Sequence, residues 1–510
     1  MVNRTKQAFW GVTSDAFWQC VSTILVFVTI PIIVQFISKP LYGFWIASFS
    51  ILGYLGMMDL SLGMSLGHHV AKLPERDGEA FDQVVSAAFF SFLGIGLLVL
   101  VIGWGMSPYI PLWFNIPQND SAIVVLSFRI AITGLAVSLP LSTFGGIISG
   151  SQHMAVLTTI CGSSTLTGTV FLIILLHKGF GLISLAVSQF FTILITGLAS
   201  YLFCKLRYYP RLKISAFSIT KVVISRLWVF GGYLQLGRVA NTVALSTDAI
   251  LIAAILGAAK VPAYAFTCKL AMLVSASLVS KLPCALFPAL SQMYANGEME
   301  KIRGTFVRLA DYSTRIAMVF GIFIILGNRK FVSLWVGHDF FGGNILNLVF
   351  VSWIFIDSLY RGTGVVIQAS GNLKKWSTVS VIEALLNLGI SIVLGRKLGI
   401  IGIALGTAIS RTISGVWFML ITCDKTQLPI RSFIWRGLFS PMLRSVPSCC
   451  MIIIFAFLVP QTLGWVWLCL ILSAGMVVNI LSFEGIELIK LSNVPFKNRL
   501  RNIFALRPIY

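Results

Sequence analysis

Residues Trp228–Gly257 read WVFGGYLQLGRVANTVALSTDAILIAAILG. A helix of about 20 residues, at roughly 1.5 Å rise each, crosses the hydrocarbon core, so this stretch is long enough to span a membrane. It nevertheless carries Arg238, Asn241 and Asp248, which lie on one helical stripe. Such a stripe must face protein or a water-filled cavity rather than lipid. Two interpretations stay open: a structural contact between helices, or the wall of a substrate cavity.

The composition indicates an integral membrane protein. Of 510 residues, 57% are hydrophobic and only 11% are charged, whereas soluble domains carry about 25% charged residues. The net charge is +21, but no soluble basic domain is present that would bind nucleic acid. There is no Walker A motif, no C-x-x-C pair and no soluble segment long enough for a catalytic domain. The sequence therefore predicts neither an enzyme nor a bound cofactor.

Apolar runs separated by proline, glycine and charge clusters predict an all-α fold with about fourteen transmembrane helices. The predicted spans cover approximately residues 9–37, 43–70, 84–106, 122–149, 154–176, 180–204, 228–257, 262–290, 306–327, 344–370, 376–395, 400–422, 441–460 and 464–483. Because consecutive spans cross in opposite directions, these limits also divide the loops between the two sides of the membrane.

Positive charge is concentrated on one of those sides. The connection Lys205–Arg226 holds six Lys or Arg residues and the segment after Lys490 holds four, whereas the loop Ser107–Asn119 holds none. The positive-inside rule therefore predicts a multi-pass protein with both termini in the cytoplasm. The same cations would attract the headgroups of membrane lipids.

The chain also repeats itself. The matched segments are KPLYGF (39–44) with KVPAYAF (260–266), IPLWF (110–114) with VSLWV (332–336), GIISGSQHM (146–154) with VIQASGNLKKW (366–376), and HKGFGLISLA (177–186) with RKLGIIGIALG (396–406). Four matches in one order predict two pseudo-symmetric six-helix lobes, with substrate bound at their interface. The predicted domains are an N-lobe at 1–205, a basic linker at 206–227, a C-lobe at 228–424, an extra helix pair at 425–484 and a basic tail at 485–510.

Ionisable residues inside the spans are the candidate functional residues, because each costs about 2.5–3.5 kcal/mol at a span centre unless it meets a partner or water. Asp357 and Arg361, four residues apart, are predicted to form a structural ion pair. Glu383 lies near the cytoplasmic end of its span and is expected to reach water. The second half supplies more cations, which favours an anionic substrate. The substrate-binding candidates are Arg238, Asn241, Asp248, Lys269, Lys281 and Arg411.

Asp59 and Lys281 are candidates for a gate. They occupy the same position in the two repeats, 222 residues apart, with opposite charge. A pair that forms in only one of two states would bias the equilibrium between them. The alternative is that each charge has a local partner within its own half.

Two stretches carry a resemblance to a known family. They are LYGFWIASFSILGYLGMMDLSLGMSLGHHVAKL (Leu41–Leu73) and TDAILIAAILGAAKVPAYAFTCKL (Thr247–Leu270). With the fourteen spans and the repeat, the chain resembles the polysaccharide biosynthesis transporters, flippases of lipid-linked oligosaccharides such as O-antigen units, over about residues 5–425. Their superfamily also holds the multidrug and toxin extrusion transporters and the lipid II flippase. The resemblance implies a V-shaped pair of lobes, alternating access and an undecaprenyl-pyrophosphate-linked glycan.

We therefore predict a flippase in the bacterial inner membrane that serves cell-surface polysaccharide synthesis. Its expected partners are the lipid-linked oligosaccharide, membrane lipids, and a polysaccharide polymerase with other assembly proteins. Three alternatives remain: an exporter of drugs or metabolites coupled to a proton or sodium gradient, a lipid II-type flippase, and a scaffold that transports nothing. Asp59 and Asp248 keep the exporter open, and the two extra spans keep the lipid II flippase open.

Overall fold

The structure is a computed structural model that describes residues 4–59, 62–72, 78–216, 223–225, 227–228 and 246–491. These residues form helices and short connections, with no β-strand among them. The helices are α1 Arg4–Phe36, α2 Lys39–Gly56, α3 Leu62–Lys72, α4 Glu79–Met106, α5 Ile110–Trp113, α6 Gln118–Gly150, α7 Met154–His177, α8 Leu182–Phe203, α9 Ser246–Leu256, α10 Val261–Thr267, α11 Lys269–Val274, α12 Lys281–Ala295, α13 Met299–Trp335, α14 Asn344–Ala369, α15 Leu373–Leu398, α16 Ile400–Thr426, α17 Ile430–Phe433, α18 Ser440–Leu458 and α19 Trp465–Leu491.

Twelve helical stretches in the described part of the chain are long and apolar enough to cross a membrane. Two shorter apolar helices, Ser246–Leu256 and Trp465–Asn479, fall within the predicted seventh and fourteenth spans. The prediction of an all-α integral membrane protein is confirmed, while the exact number of fourteen spans stays a prediction. Span limits agree closely where apolar sequence meets a turn, as at Met154–His177 and Asn344–Ala369.

The first compact unit comprises Met1–Val261. Helix α6 lies at its centre and packs against α2, α3, α4, α7 and α8, while α1 packs along α7. Phe81, Phe92 and Ile147 are fully buried in the core of this unit. The beginning of the basic linker belongs to this core as well: the ring of Tyr209 contacts Phe81, and its hydroxyl lies 2.6 Å from Ser151 Oγ.

The second compact unit comprises Pro262–Tyr510. Helix α14 lies at its centre, in contact with α11, α12, α13, α15 and α16. Phe306 and Phe433 stack in its core with ring centroids 4.4 Å apart. The pair α18 and α19 packs on α13, so the C-terminal helices are attached to this unit.

The packing order within the second unit repeats that within the first, six spans later. In the first unit, α4 packs on α6, α6 on α8, α7 on α8 and α3 on α6. The corresponding contacts of the second unit join α13 to α14, α14 to α16, α15 to α16 and α12 to α14. Each unit thus shows the same arrangement of spans internally. The lobe limits at 205 and 228 and the V shape stay predictions.

A single glycine closes the α15–α16 hairpin. Gly399 stands between Leu398 and Ile400 with φ of 64°, in the left-handed region that costs other residues a steric clash. Gly402 and Gly406 follow on α16, and a Cβ at either position would collide with α15 at Leu394 or Ser391. The two helices therefore approach backbone to backbone, as small residues allow in membrane helix pairs.

Candidate functional site

Four charged side chains meet within the second unit and define what we call the buried ion network: Asp357, Arg361, Glu383 and Arg411. The Oδ1 atom of Asp357 accepts hydrogen bonds from Arg411 Nη2 at 2.8 Å and Nε at 3.1 Å. Its Oδ2 atom accepts from Arg361 Nε at 2.6 Å and also from the Ser275 hydroxyl. Arg411 Nη1 donates to Glu383 Oε1 at 2.6 Å. The network therefore joins α14, α15, α16 and the π-helical segment Ser275–Val279.

The charges of this network are largely buried, and their mutual neutralisation offsets the cost of that burial. Asp357 is 0% exposed, Arg411 2% and Glu383 3%. Two carboxylates and two guanidinium groups balance to zero, and an uncompensated charge at this depth would cost several kcal/mol. The ring of Tyr360 adds a cation–π contact, with its centroid 3.5 Å from the Arg411 guanidinium carbon.

The local sequence determines where these side chains lie. Asp357, Tyr360 and Arg361 share a face of α14 because they are spaced by three and four residues. Glu383 and Arg411 contact each other across the α15–α16 hairpin. Gly399 forms the turn of this hairpin, and Gly406 lets the two helices approach closely. Another bond across the same hairpin, from Asn387 Nδ2 to Thr407 Oγ1 at 3.0 Å, fixes the register of the two helices.

Arg361 differs from the other three members because its side chain is 27% exposed. It forms the ion pair with Asp357 that the sequence predicts.

Glu383 was expected to reach water, and that expectation is wrong: it is buried and paired with Arg411. A span boundary gives the depth of a residue but not which neighbouring helix covers it, so the sequence offered no signal for this contact.

Two of the six substrate-binding candidates, Arg238 and Asn241, lie outside the described residues. Asp248 lies on α9 and is 5% exposed. Its neighbour Thr247 contacts α2 through an Oγ1 to Tyr54 OH distance of 2.6 Å. Asp248, a residue of the first unit, is therefore enclosed by protein, and its part in substrate binding stays a prediction.

The remaining candidates lie at helix ends. Lys269 begins α11 and is half-buried, Lys281 begins α12 and is exposed, and Asp59 ends a short turn after α2 and is half-buried. Asp59 belongs to the first unit and Lys281 to the second, so their pairing as a gate stays a prediction. Arg411, the sixth candidate, lies deep in the buried ion network.

The paired helices α1 and α7 carry a further polar surface that the sequence did not reveal. Ser14 Oγ on α1 lies 2.9 Å from Thr158 Oγ1 and 3.2 Å from Thr159 Oγ1 on α7. Exposed polar side chains recur beside this contact at helical spacing: Asp15 and Gln19 on α1, and Thr159, Ser163 and Thr167 on α7. We call these five residues the α1–α7 polar surface. Its α7 hydroxyls donate to carbonyls of their own helix, which leaves oxygen lone pairs to accept hydrogen bonds.

In the described part of the chain, no three His, Cys, Asp or Glu side chains are grouped so that they could hold a metal ion. The charged groups that do cluster are paired with one another.

Comparison with solved structures identifies the fold. The fold is similar to the lipid II flippase MurJ in an inward closed conformation, with a TM-score of 0.72, 14% identity and coverage of 94% of this chain and 99% of that one. It is also similar to an inward-facing multidrug resistance MATE family transporter of the MOP superfamily, with a TM-score of 0.68, 15% identity and coverage of 79% and 94%. The fold is therefore that of a multi-pass membrane transporter.

The sequence places the chain more narrowly within that class. A family model for "Polysaccharide biosynthesis protein" matches residues 73–342, more than half of the chain, and the chain belongs to this family. A Shigella flexneri protein named "Putative O-antigen transporter" is 21% identical, over 79% of this chain and 94% of that protein. The chain is accordingly a membrane flippase of the polysaccharide-biosynthesis kind, and its family and fold are those of transporters rather than enzymes.

Proposed function

We propose that this protein carries undecaprenyl-pyrophosphate-linked oligosaccharide units across the bacterial inner membrane by alternating access. The match to the Shigella flexneri transporter, which extends over 94% of that protein, carries the proposal. The polyprenyl tail remains in lipid, while the pyrophosphate and sugars pass through a polar route between the lobes. Both termini face the cytoplasm, and a polysaccharide polymerase acts on the exported units.

Cationic side chains offset the desolvation of the pyrophosphate, and neutral polar groups meet the sugars. Among the described candidates, Lys269 is half-buried and Lys281 is exposed. Both are proposed as cations that meet the ligand, with Arg238 as a third. The α1–α7 polar surface suits the glycan, because sugar hydroxyls can donate to the Thr and Ser oxygens and accept from Gln19. Transport is coupled to a proton or sodium gradient in this proposal, with Asp59 and Asp248 as the acids that would respond to it.

A lipid II-type flippase is the second candidate function. The structural similarity to the lipid II flippase extends over 94% of this chain, against 79% for the multidrug transporter. Both cargoes consist of a polyprenyl pyrophosphate and a sugar head group, so the same cationic route would serve either. They differ in the head group.

Deletion of the gene separates these functions. If the proposal holds, the mutant loses surface polysaccharide and accumulates lipid-linked oligosaccharide on the cytoplasmic leaflet, and the intact chain restores export. Accumulation of lipid II would instead favour the second candidate. Sensitivity to drugs with normal polysaccharide would contradict both and favour an exporter.

A further inference from the structure

The two arginines of the buried ion network use their donors differently. Every guanidinium nitrogen of Arg411 donates to a carboxylate: Nε and Nη2 donate to Asp357, and Nη1 donates to Glu383. Among the residues that the structure describes, Arg361 donates only through Nε, to Asp357 Oδ2 at 2.6 Å. No acceptor in the described part of the chain takes the Nη1 or Nη2 atoms of Arg361. Those two nitrogens carry four of the five N–H groups of a guanidinium.

The exposed part of Arg361 must face water or a ligand. Its side chain is 27% exposed, although it lies within the apolar span Asn344–Ala369. A guanidinium within a span does not face hydrocarbon, because its transfer out of water is too costly. Eight residues separate Arg361 from the end of α14, a depth of about 12 Å at 1.5 Å per residue. In the predicted orientation this is the cytoplasmic end, where lipid-linked cargo is loaded.

The charges around Arg361 favour an anion over a cation. Asp357 receives four hydrogen bonds, from Arg411 Nε and Nη2, Arg361 Nε and the Ser275 hydroxyl. Four donors fill the lone-pair sites of one carboxylate, so Asp357 has no site left for a metal ion or a protonated amine. The exposed guanidinium edge presents only N–H donors, and this planar edge matches two phosphate oxygens.

We propose that the Nη nitrogens of Arg361 bind two phosphate oxygens of the pyrophosphate in the lipid-linked cargo. This assignment rests on the function proposed above. Asp357 holds the Nε edge and so presents the guanidinium in one orientation before the ligand arrives. Arg411 and Ser275 remain bonded to Asp357 when the anion binds, so no buried carboxylate is left unpaired. Arg411 is then a positioning residue, and Arg361 makes the contact.

The competing interpretation is that Arg361 only neutralises Asp357. Binding to the full chain in lipid nanodiscs distinguishes it from the proposal. The probes are inorganic pyrophosphate, undecaprenyl pyrophosphate and uncharged undecaprenol. Arg361→Gln is compared with Arg396→Gln, which removes an exposed arginine from α15. We expect Arg361→Gln to weaken binding of undecaprenyl pyrophosphate about ten- to a hundredfold, the loss typical of a charge-assisted hydrogen bond. Arg361→Lys should retain part of the affinity, and undecaprenol should not respond to any variant.

The double variant Arg361→Gln with Glu383→Gln keeps the test decisive if Arg361→Gln folds poorly. It leaves Asp357 paired with Arg411 and restores a neutral network, so its melting temperature should return to that of Arg396→Gln while pyrophosphate binding stays weak. Normal pyrophosphate binding by Arg361→Gln, alone or combined with Glu383→Gln, would overturn the proposal. If Arg361→Gln weakens the binding of inorganic pyrophosphate and of undecaprenyl pyrophosphate equally, the proposal is supported, and Arg361 recognises the anion alone. An Arg361→Gln variant that binds and exports normally would refute it and leave the flippase intact, whereas failure of the unchanged chain to restore export would refute the flippase.

Discussion

The guanidinium of Arg411 is enclosed by two carboxylates and the ring of Tyr360, within hydrogen-bonding distance of Asp357 and Glu383. Its positive charge is compensated on both sides, so the cost of burying it depends on both acids being present. Arg361 belongs to the same network, but Asp357 is its only carboxylate partner in the described part of the chain. Two residues of one type thus have different roles because their burial differs.

Replacing Arg411 with Gln should destabilise the protein strongly. The variant keeps the volume approximately but leaves Asp357 and Glu383 with one compensating cation, and breaking a buried pair in this way costs about 3–5 kcal/mol. Thermal unfolding of the purified variant in detergent measures the effect. Arg396→Gln, at an exposed position, is the control. If Arg411→Gln has the same melting temperature as Arg396→Gln, the network does not hold α14, α15 and α16 together.

The charged residues inside the spans could be identified from the sequence, but of their contacts only the one within a single helix could be predicted. Asp357 and Arg361 are four apart on one helix, so their spacing alone predicts the contact. The contact between Glu383 and Arg411 joins two helices and depends on the depth and rotation of each. Hydropathy reports neither quantity at the precision of a hydrogen bond.

The α15–α16 hairpin is the element that positions the network. Gly406 faces Ser391 so closely that a Cβ at 406 would lie 2.7 Å from the Cα of Ser391. Glu383 and Arg411 lie on these same two helices, so the distance between the helix axes determines whether the two side chains meet.

Gly406→Ala should force the hairpin apart. Overpacking of this kind costs about 1–3 kcal/mol, and the displacement should also weaken the contact between Glu383 and Arg411. Gly389→Ala, on α15 with open space around its Cβ position, gains the same helix propensity without the collision and is the matched control. Thermal unfolding should rank Gly406→Ala below Gly389→Ala. Equal melting temperatures would contradict the close approach of the two helices.

Helix limits could be predicted only where hydropathy changes at the helix end. The span predicted at 344–370 agrees with Asn344–Ala369, because a glycine-rich turn precedes it and another turn follows. The span predicted at 306–327 is too short, since α13 extends over Met299–Trp335. Its first turns carry Glu300, Lys301 and Arg303, and a polar helical extension resembles a loop in a hydropathy profile.

At the scale of the whole molecule, the orientation in the membrane follows from loop charge. In a cysteine-depleted variant of the intact chain, Ala216→Cys should be protected from an impermeant thiol reagent in whole cells, and Asn119→Cys should react. Both positions are exposed in the structure, so accessibility within the protein does not limit the reaction. Labelling after cell lysis, when both should react, is the control. The opposite pattern would reverse the orientation and the depth assigned to Arg361.

The gate hypothesis concerns both lobes together. If Asp59 and Lys281 pair in one state only, Asp59→Lys and Lys281→Asp should each impair export by placing like charges together. The double reversal should restore much of the activity, because it rebuilds the pair with its members exchanged. Surface polysaccharide in a deletion strain measures export, with membrane levels of each variant as the control. A double variant no better than the worse single variant would refute the gate.

The central claim, that this protein moves lipid-linked oligosaccharide across a bilayer, is tested most directly by reconstitution. Liposomes are prepared with fluorescently labelled undecaprenyl-pyrophosphate-linked oligosaccharide, and a membrane-impermeant glycan-cleaving enzyme is added outside. The account predicts that the inner-leaflet pool becomes accessible to that enzyme in liposomes that contain the protein, and stays protected in liposomes with an unrelated membrane protein. An inner pool equally protected in both preparations, with an imposed proton or sodium gradient as well as without one, would contradict it.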